Sequence, residues 1–201
     1  MPSLFDPKFA ACVRSVSVFP HSVEVDAAFW RPKFVAAGLA QMHDSIFGGE
    51  KTVRINRGRL LNHAFSKTTQ KCAEILLWGY PNDQRGIVSN LLSHLVSLDS
   101  ASQAKVTWKI YIKGFPKGAG ASTITKLAYF FGCLFNGRQA LILDNRIVKQ
   151  VPRWEPLSGM KVSTSFQMYP EYLDVMHEAA KKIGCSGEQL ELFLFSQGSN
   201  Y

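Results

Sequence analysis

The apolar residues of this chain recur mostly at a spacing of three to four residues, which is the period of one buried helical face. Five segments show this spacing and predict helices. They are residues 34–46, 87–98, 124–135, 170–183 and 188–195. Strict alternation, the pattern of a strand, occurs at Val23 and Val25 and again over residues 106–112, although the second segment could equally be a helix.

Glycine, proline and polar residues predict where these helices begin and end. The first helix should begin near Pro32 and end at Gly48. The intervening segments are then an arm at 1–20 with one short ordered piece, a basic segment with one or two helices at 51–81, a polar loop at 99–105 and a linker at 152–156.

The length and composition of the chain indicate a folded protein. At 201 residues it suits one globular domain, or two small lobes that share a core. Its 46% apolar and 19% charged residues argue against long disordered regions. We therefore predict a mainly α fold, with residues 1–201 forming a single globular helical unit.

The positive charge of the chain is concentrated in its middle. The formal net charge is +8, and residues 101–153 carry nine Lys/Arg against one Asp/Glu. Clustered basic residues favour a polyanion such as DNA, because binding releases the counterions condensed on its phosphates. A solvated basic face would have the same composition, so charge alone leaves both interpretations open.

The cysteines and histidines are scattered along the chain. None shows the CxxC, Cys/His or HxxxH spacing of a metal site. The four cysteines, Cys12, Cys72, Cys133 and Cys185, therefore resemble small core residues kept reduced. We predict no zinc, no iron–sulfur cluster and no other cofactor.

Neither end of the chain suggests export or membrane insertion. The amino-terminal sequence MPSLFDPKFAACVRSV is interrupted by charged residues and a proline, unlike the apolar core of a signal peptide. The chain also has no apolar run of about eighteen residues. We expect a cytoplasmic, monomeric protein without a membrane partner.

Residues 114–148 hold the main functional signal. Three glycines and a proline predict a tight hairpin, and the serine and threonine that follow can cap the next helix. Backbone amides at such a helix start suit a phosphate oxygen, although capping without any ligand is the more common use of this pattern. The residues predicted to contact DNA are Lys113, Gly114, Lys117, Gly118, Gly120, Ser122 and Thr123.

The helix after the hairpin carries a single lysine, Lys126. Its apolar stripe includes Ile124, and Lys126 lies two residues further, or about 200° around the helix. We therefore expect Lys126 to point away from the core, toward a cleft or solvent. Most lysines in such a position are simply solvated, so its importance depends on a partner.

The partner that the pattern offers is Asp144. This residue follows the apolar run 140–143 and precedes Asn145 and Arg146, so it can serve as a plain helix cap. A lysine nucleophile needs a neutral amine, and a nearby carboxylate opposes that by favouring the charged form. Asp144 is better suited to stabilise the cationic sugar that develops when a glycosidic bond breaks.

These residues carry a family resemblance. The run TKLAYFFGCLFNGRQALILDNRIV resembles the segment of helix-hairpin-helix DNA glycosylases between their catalytic lysine and their essential aspartate. LLWGYPNDQRG, followed by a leucine-rich helix, resembles a bacterial group with the 8-oxoguanine-glycosylase fold. The likeness is good over residues 70–150 and loose elsewhere. It implies a two-lobed helical fold, with the helix-hairpin-helix and catalytic segment at 106–150.

The resemblance also implies a function. A glycosylase of this kind would bind duplex DNA, flip out a modified base and excise it, with Lys126 and Asp144 as catalytic residues. Trp78, Tyr80 and Arg85 would line the base pocket, although aromatics beside a glycine and a proline more commonly serve turn packing. The alternatives are a DNA-binding module without catalysis and a helical scaffold for an acidic protein.

The chain departs from the family in the hairpin. The family lysine usually lies two residues after the last hairpin glycine, whereas Gly120 precedes Lys126 by six. Either the hairpin is about one turn longer, or Ser122 occupies the lysine position and the enzyme is monofunctional. We favour Lys126, because its eighteen-residue distance to Asp144 then needs no insertion. This departure favours a modified base of phage DNA, such as glucosylated hydroxymethylcytosine, over 8-oxoguanine.

Overall fold

The computed structural model describes residues 1–62, 65, 67–83, 87–103, 107–163 and 166–198. Helices dominate these residues and the strands are short, so the predicted mainly α fold is confirmed. The helices are α1 (Pro7–Arg14), α2 (Ala27–Ala36), α3 (Ala40–Phe47), α4 (Arg57–Asn62), α5 (Thr68–Gly79), α6 (Ile87–Leu92), α7 (Leu95–Gln103), α8 (Trp108–Lys113), α9 (Ala121–Phe130), α10 (Asn145–Gln150), α11 (Tyr169–Ile183) and α12 (Gly187–Gln197). The strands are β1 (Ser22–Asp26), β2 (Thr52–Asn56), β3 (Leu134–Phe135) and β4 (Arg138–Gln139).

The chain divides into two compact units. The central unit is Phe19–Ala119, and the terminal unit combines Met1–Val18 with Gly120–Tyr201. No described helix is both long and apolar enough to cross a membrane.

The central unit is built on an antiparallel pair of strands. Ser22 of β1 lies opposite Asn56 of β2, and Asp26 lies opposite Thr52. Helix α5 packs on both strands and on α7. The alternation of valines predicted β1, but its partner β2 falls in the segment interpreted only as basic. The helices expected after the basic segment are present as α4 and α5, but the strand was not predicted. Ile55 of this strand is buried and the preceding Arg54 is exposed, as in a strand with one face covered.

The terminal unit packs α12 against α1, α10 and α11. Helix α11 ends at Gly184, whose φ of +77° is the left-handed conformation that favours glycine. Helix α12 begins with a capping box in which Ser186 and Gln189 exchange side-chain and backbone hydrogen bonds. Both helices were predicted, and both are confirmed.

Two of the predicted helices are interrupted. Residues 34–46 belong to α2 and α3, which are separated at Gly38 with a φ of +72°. Helix α2 begins at Ala27, capped by Asp26, so Pro32 lies inside it rather than at its start. Residues 87–98 are likewise divided between α6 and α7.

Three further boundaries differ from the prediction. Helix α7 continues to Gln103, so most of the predicted loop 99–105 is helical. The predicted stripe at 124–135 is too long, because α9 ends at Phe130 and Leu134 is 60% exposed in β3. The predicted linker at 152–156 contains a 3-10 turn and the buried ring of Trp154, which packs edge-on against Phe193.

Candidate active site

The hairpin joins α8 to α9. Residues 114–120 form this connection, and Gly118 adopts a φ of +100°, which only glycine accepts without strain. At Gly114 an added Cβ would lie 3.2 Å from the Cβ of Ala101, so the backbones approach closely there. Lys113 and Lys117, the two predicted DNA contacts beside these glycines, are exposed.

Helix α9 begins immediately after the hairpin. Gly120 is its N-cap and makes no side-chain cap, while Ser122 and Thr123 lie inside the first turn. The prediction that Ser122 and Thr123 cap this helix was therefore wrong. A cap at Ser122 would start the helix at Thr123, whereas α9 starts two residues earlier, at Ala121, with Gly120 in an extended conformation as its N-cap.

Lys126 is buried, with only 6% of its surface exposed. We expected Lys126 to point away from the core, toward a cleft or solvent. Exposure to solvent was the wrong part of this expectation. That argument assumed one buried face, whereas α9 is covered nearly all round. Its polar residues Thr123 and Thr125 are as buried as its apolar ones.

The amine of Lys126 lies beside Ser122. Lys126 Nζ is 2.5 Å from Ser122 Oγ and 3.5 Å from the Ser122 carbonyl oxygen. Residues four apart on a helix are neighbours, so this contact follows from the helix itself. Ser122 lies two residues after Gly120, the spacing at which the family lysine usually occurs. The Lys126 amine is therefore next to the side chain at that spacing.

Helix α9 starts directly after Gly120, so the first hairpin ends there, and β3 and β4 form a second hairpin before Asp144. The Lys126 amine reaches the Ser122 side chain from one turn further along the helix.

Residues 140–143, which lead into Asp144, belong to no helix or strand. The Ala140 amide donates to the Cys133 carbonyl at 2.9 Å, and the next three backbone amides are bound by side chains. The amide of Leu141 donates to Tyr169 Oη at 3.1 Å, and that hydroxyl donates to the Leu141 carbonyl at 2.7 Å. Burial raises the pKa of Tyr169 well above its ordinary value, so the phenol remains a donor.

The rest of the segment is held in the same way. The carbonyl of Ile142 accepts from Tyr172 Oη at 2.9 Å, and its amide donates to Glu191 Oε2 at 3.3 Å. The amide of Leu143 donates to Thr125 Oγ1 at 3.0 Å. We call these four side chains, which come from α9, α11 and α12, the backbone clamp. They are Thr125, Tyr169, Tyr172 and Glu191.

Asp144 follows the clamped segment and caps α10. Its Oδ1 accepts from the amides of Arg146 at 2.9 Å and Ile147 at 3.1 Å. No side chain or amide of the described chain donates to Oδ2, and the residue is partly exposed. One oxygen therefore fixes the carboxylate, while the other is available to a positively charged atom.

The surface near Asp144 is basic. Arg146, Lys149 and Arg153 follow it in α10 and the next turn, and all three are exposed. The guanidinium of Arg146 also lies 4.8 Å from the ring centre of Phe195, which supports its position. Three cations within ten residues suit a phosphate backbone.

The predicted base-pocket residues lie in the central unit. Trp78 lies in the last turn of α5, which ends at Gly79 with Tyr80 as its C-cap. The Trp78 ring is buried, with Arg57 5.3 Å over it and His21 edge-on at 5.4 Å. Tyr80 is partly exposed, and Arg85 lies outside the described residues.

The backbone clamp escaped sequence reasoning. Thr125 and Tyr169 were not singled out from the sequence, and Tyr172 lay in a helix predicted only from its apolar spacing. The available signal was the apolar run 140–143, which is too short for a helix and is not followed by a second apolar segment that could pair with it as a strand. Such a run leaves backbone groups that other residues must satisfy.

The described residues contain no group of three or more histidine, cysteine, aspartate or glutamate side chains placed to hold a metal ion. The two predicted catalytic residues are Lys126 on α9 and Asp144, the N-cap of α10. Thr125 links α9 to Leu143, the residue before Asp144.

The described elements agree with the helical fold of an OGG-like DNA glycosylase. The family model described as "Putative 8-oxoguanine DNA glycosylase OGG-like protein" matches residues 16–195, and the chain belongs to this family. Neither the comparison with curated proteins nor the comparison with solved structures gave a match.

Proposed function

We propose that this protein is a DNA glycosylase that excises a modified base from double-stranded DNA and leaves an abasic site. The observation that carries the proposal is the hydrogen bond from the Leu143 amide to Thr125 Oγ1. It joins the residue before Asp144 to the residue before Lys126, in a chain that belongs to a glycosylase-related family.

Two groups of residues are proposed to hold the DNA backbone. The first is the hairpin with the start of α9, where Gly120 leaves the first-turn amides without a side-chain cap. The second is the exposed basic residues of α10. The hairpin residues are Lys113, Gly114, Lys117, Gly118, Gly120, Ser122 and Thr123.

In the proposed reaction the target nucleotide leaves the base stack before its glycosidic bond breaks. The electron pair of the C1′–N bond departs with the base, and positive charge develops on the sugar. The free oxygen of Asp144 stabilises this charge. If water bonds to C1′ and loses a proton, the product is an abasic sugar. If the amine of Lys126 bonds to C1′ and loses a proton instead, breaking of the C1′–O4′ bond with uptake of a proton on O4′ opens the sugar and gives a Schiff base.

The proposed substrate is a bulky modified cytosine, such as glucosylated hydroxymethylcytosine, whose excision would act against phage DNA. The unusual hairpin supports this choice, since an amine delivered from the second turn of α9 differs from the family arrangement. The alternative substrate is 8-oxoguanine, which the family description names. Tyr80, Trp78 and Arg85 remain the proposed pocket residues, and Trp78 would need Arg57 or His21 to move before it could stack on a base.

The decisive experiment is incubation with four duplexes, followed by mass spectrometry of the released bases. The duplexes contain cytosine, hydroxymethylcytosine, glucosylated hydroxymethylcytosine or 8-oxoguanine at one position. We expect release of the glucosylated base and little release of the others. Release of 8-oxoguanine alone supports the repair alternative, and salt-sensitive binding without any release supports a non-catalytic module.

Borohydride trapping then separates the two roles of Lys126. A covalent protein–DNA adduct that forms with the wild type and is lost in Lys126→Gln identifies the amine as the nucleophile. Base release without any adduct assigns the attack to water and leaves Lys126 to position it. Ser122→Ala is the matched variant, because it removes the contact of the amine while leaving the amine itself.

A further inference from the structure

Thr125 occupies a special place in the backbone clamp. Its side chain is completely buried, and its hydroxyl donates to the Ala121 carbonyl at 2.8 Å within α9. The same hydroxyl accepts from the Leu143 amide at 3.0 Å. One oxygen atom therefore connects the first turn of the lysine helix to the residue immediately before Asp144.

The other members of the clamp act elsewhere. Tyr169 and Tyr172 come from α11 and bind Leu141 and Ile142, which lie three and two residues before Asp144. The amides of residues 141–143 all donate to side chains, so the position of this part of the segment depends on the clamp. Thr125 alone among them belongs to the helix that carries Lys126 and Ser122.

We propose that Thr125 is a positioning residue that sets Asp144 relative to the lysine helix. This inference rests on the proposed function. Loss of the hydroxyl would leave the Leu143 amide buried without its acceptor, and the segment could relax away from α9. Displacement of a catalytic group by about 1 Å can lower a rate on the order of 10²-fold.

The test compares three variants in single-turnover base release with enzyme in excess over DNA. Thr125→Val keeps the shape of the side chain but removes the hydroxyl, and Thr125→Ser restores it. Tyr172→Phe removes one hydroxyl that binds the same segment, but this hydroxyl comes from α11 rather than from α9. Unfolding by urea measures the stability of each variant, and the dissociation constant for DNA is measured in parallel.

We expect Thr125→Val to lower the rate of base release on the order of 10²-fold with DNA affinity unchanged. Thr125→Ser should recover most of the rate, and Tyr172→Phe should lose less than Thr125→Val. A purely structural role would instead give losses that follow stability, with no rescue specific to the hydroxyl.

Three results would count against the inference. An active wild type with an equally active Thr125→Val variant overturns it while leaving the proposed function intact. If Tyr172→Phe lowers the rate of base release as much as Thr125→Val does, the rate depends on the position of the whole segment and not on its link to α9. A wild type that releases no base from any of the duplexes overturns both proposals.

Discussion

Two segments of this chain resemble each other in sequence and differ in how they are held. SVEVD at residues 22–26 and ALILD at 140–144 are both extended, and each ends in an aspartate that caps the following helix. In the first, the backbone of β1 pairs with β2 along its whole length. In the second, the backbone is bound by the clamp side chains.

The difference determines how each aspartate depends on the rest of the chain. A strand pair joins backbone to backbone, so most side-chain substitutions leave its hydrogen bonds in place. A clamped segment loses a bond whenever one clamp side chain changes, and a buried amide or carbonyl is then left unsatisfied. The position of Asp26 is therefore robust, and the position of Asp144 depends on a few named residues.

The largest effect is expected from the two aspartates themselves. Asparagine caps helices about as well as aspartate, so Asp144→Asn and Asp26→Asn should each change the free energy of unfolding by less than about 1 kcal/mol. Only Asp144→Asn should lower base release, on the order of 10²- to 10³-fold, because it removes the charge that stabilises the sugar cation. The rate is measured by release of the modified base.

Full base release by Asp144→Asn would remove Asp144 from the mechanism and, with it, the site proposed here. An equal loss in Asp26→Asn would show that helix capping in general, rather than the charge at this position, limits the reaction.

The next effect concerns stability. Tyr169→Phe removes the hydroxyl that binds both backbone groups of Leu141, and it leaves both of them buried without that partner. We expect a loss of about 2 to 3 kcal/mol in the free energy of unfolding. Glu24→Ala on β1 should cost less than about 0.5 kcal/mol, because its side chain is exposed and the strand bonds remain. Urea denaturation of both variants measures the difference, and similar losses would contradict the distinction between the two segments.

A third aspartate extends the comparison to pH. Asp83 lies at the start of α6, where it accepts from the Val88 amide at 2.8 Å, from Ser89 Oγ at 2.5 Å and from Lys33 Nζ at 3.0 Å. Burial alone would raise the pKa of Asp83, but the hydrogen bonds of Ser89, Lys33 and Val88 outweigh it and lower the pKa below its ordinary value. The carboxylate therefore stabilises the folded state above the ordinary pKa, and this stabilisation is lost as the pH falls through the lowered pKa.

The check is urea unfolding of wild type and Asp83→Asn at pH 6 and again near pH 3. The variant should be less stable by about 1 to 2 kcal/mol at pH 6, and the gap should narrow in acid. A gap that stays constant between the two pH values would show that the charge of Asp83 contributes nothing.

These contrasts also explain which features could be predicted from sequence. Helices α11 and α12 were predicted because their apolar spacing is a local signal and Gly184 separates them. The capping role of Asp144 was recognised as one interpretation for the same reason. The clamp was not predicted, because Tyr169 and Tyr172 lie about thirty residues from the atoms they bind.

The misjudged exposure of Lys126 has a physical cause. Periodicity assigns one buried face to a helix, but α9 is buried nearly all round, so the expected exposure of Lys126 to solvent was wrong. Here tertiary packing overrode the local pattern. The glycine and proline after Trp78, in contrast, mark the true end of α5 at Gly79.

The smallest expected effect is on the salt dependence of DNA binding, and it distinguishes α10, which follows Asp144, from α2, which follows Asp26. Helix α10 presents Arg146 and Lys149 to solvent, and helix α2 presents Arg31, which is paired with Asp44 at 2.8 Å. If α10 contacts DNA phosphates, Arg146→Ala and Lys149→Ala should each reduce the slope of log Kd against log salt by about 1, whereas Arg31→Ala should leave it unchanged. Binding isotherms at several salt concentrations measure the slope, and Arg146→Lys should preserve it because the charge remains. If Arg31→Ala reduces the slope by the same amount, DNA binding depends on total charge, and α10 makes no specific contact with the DNA phosphates.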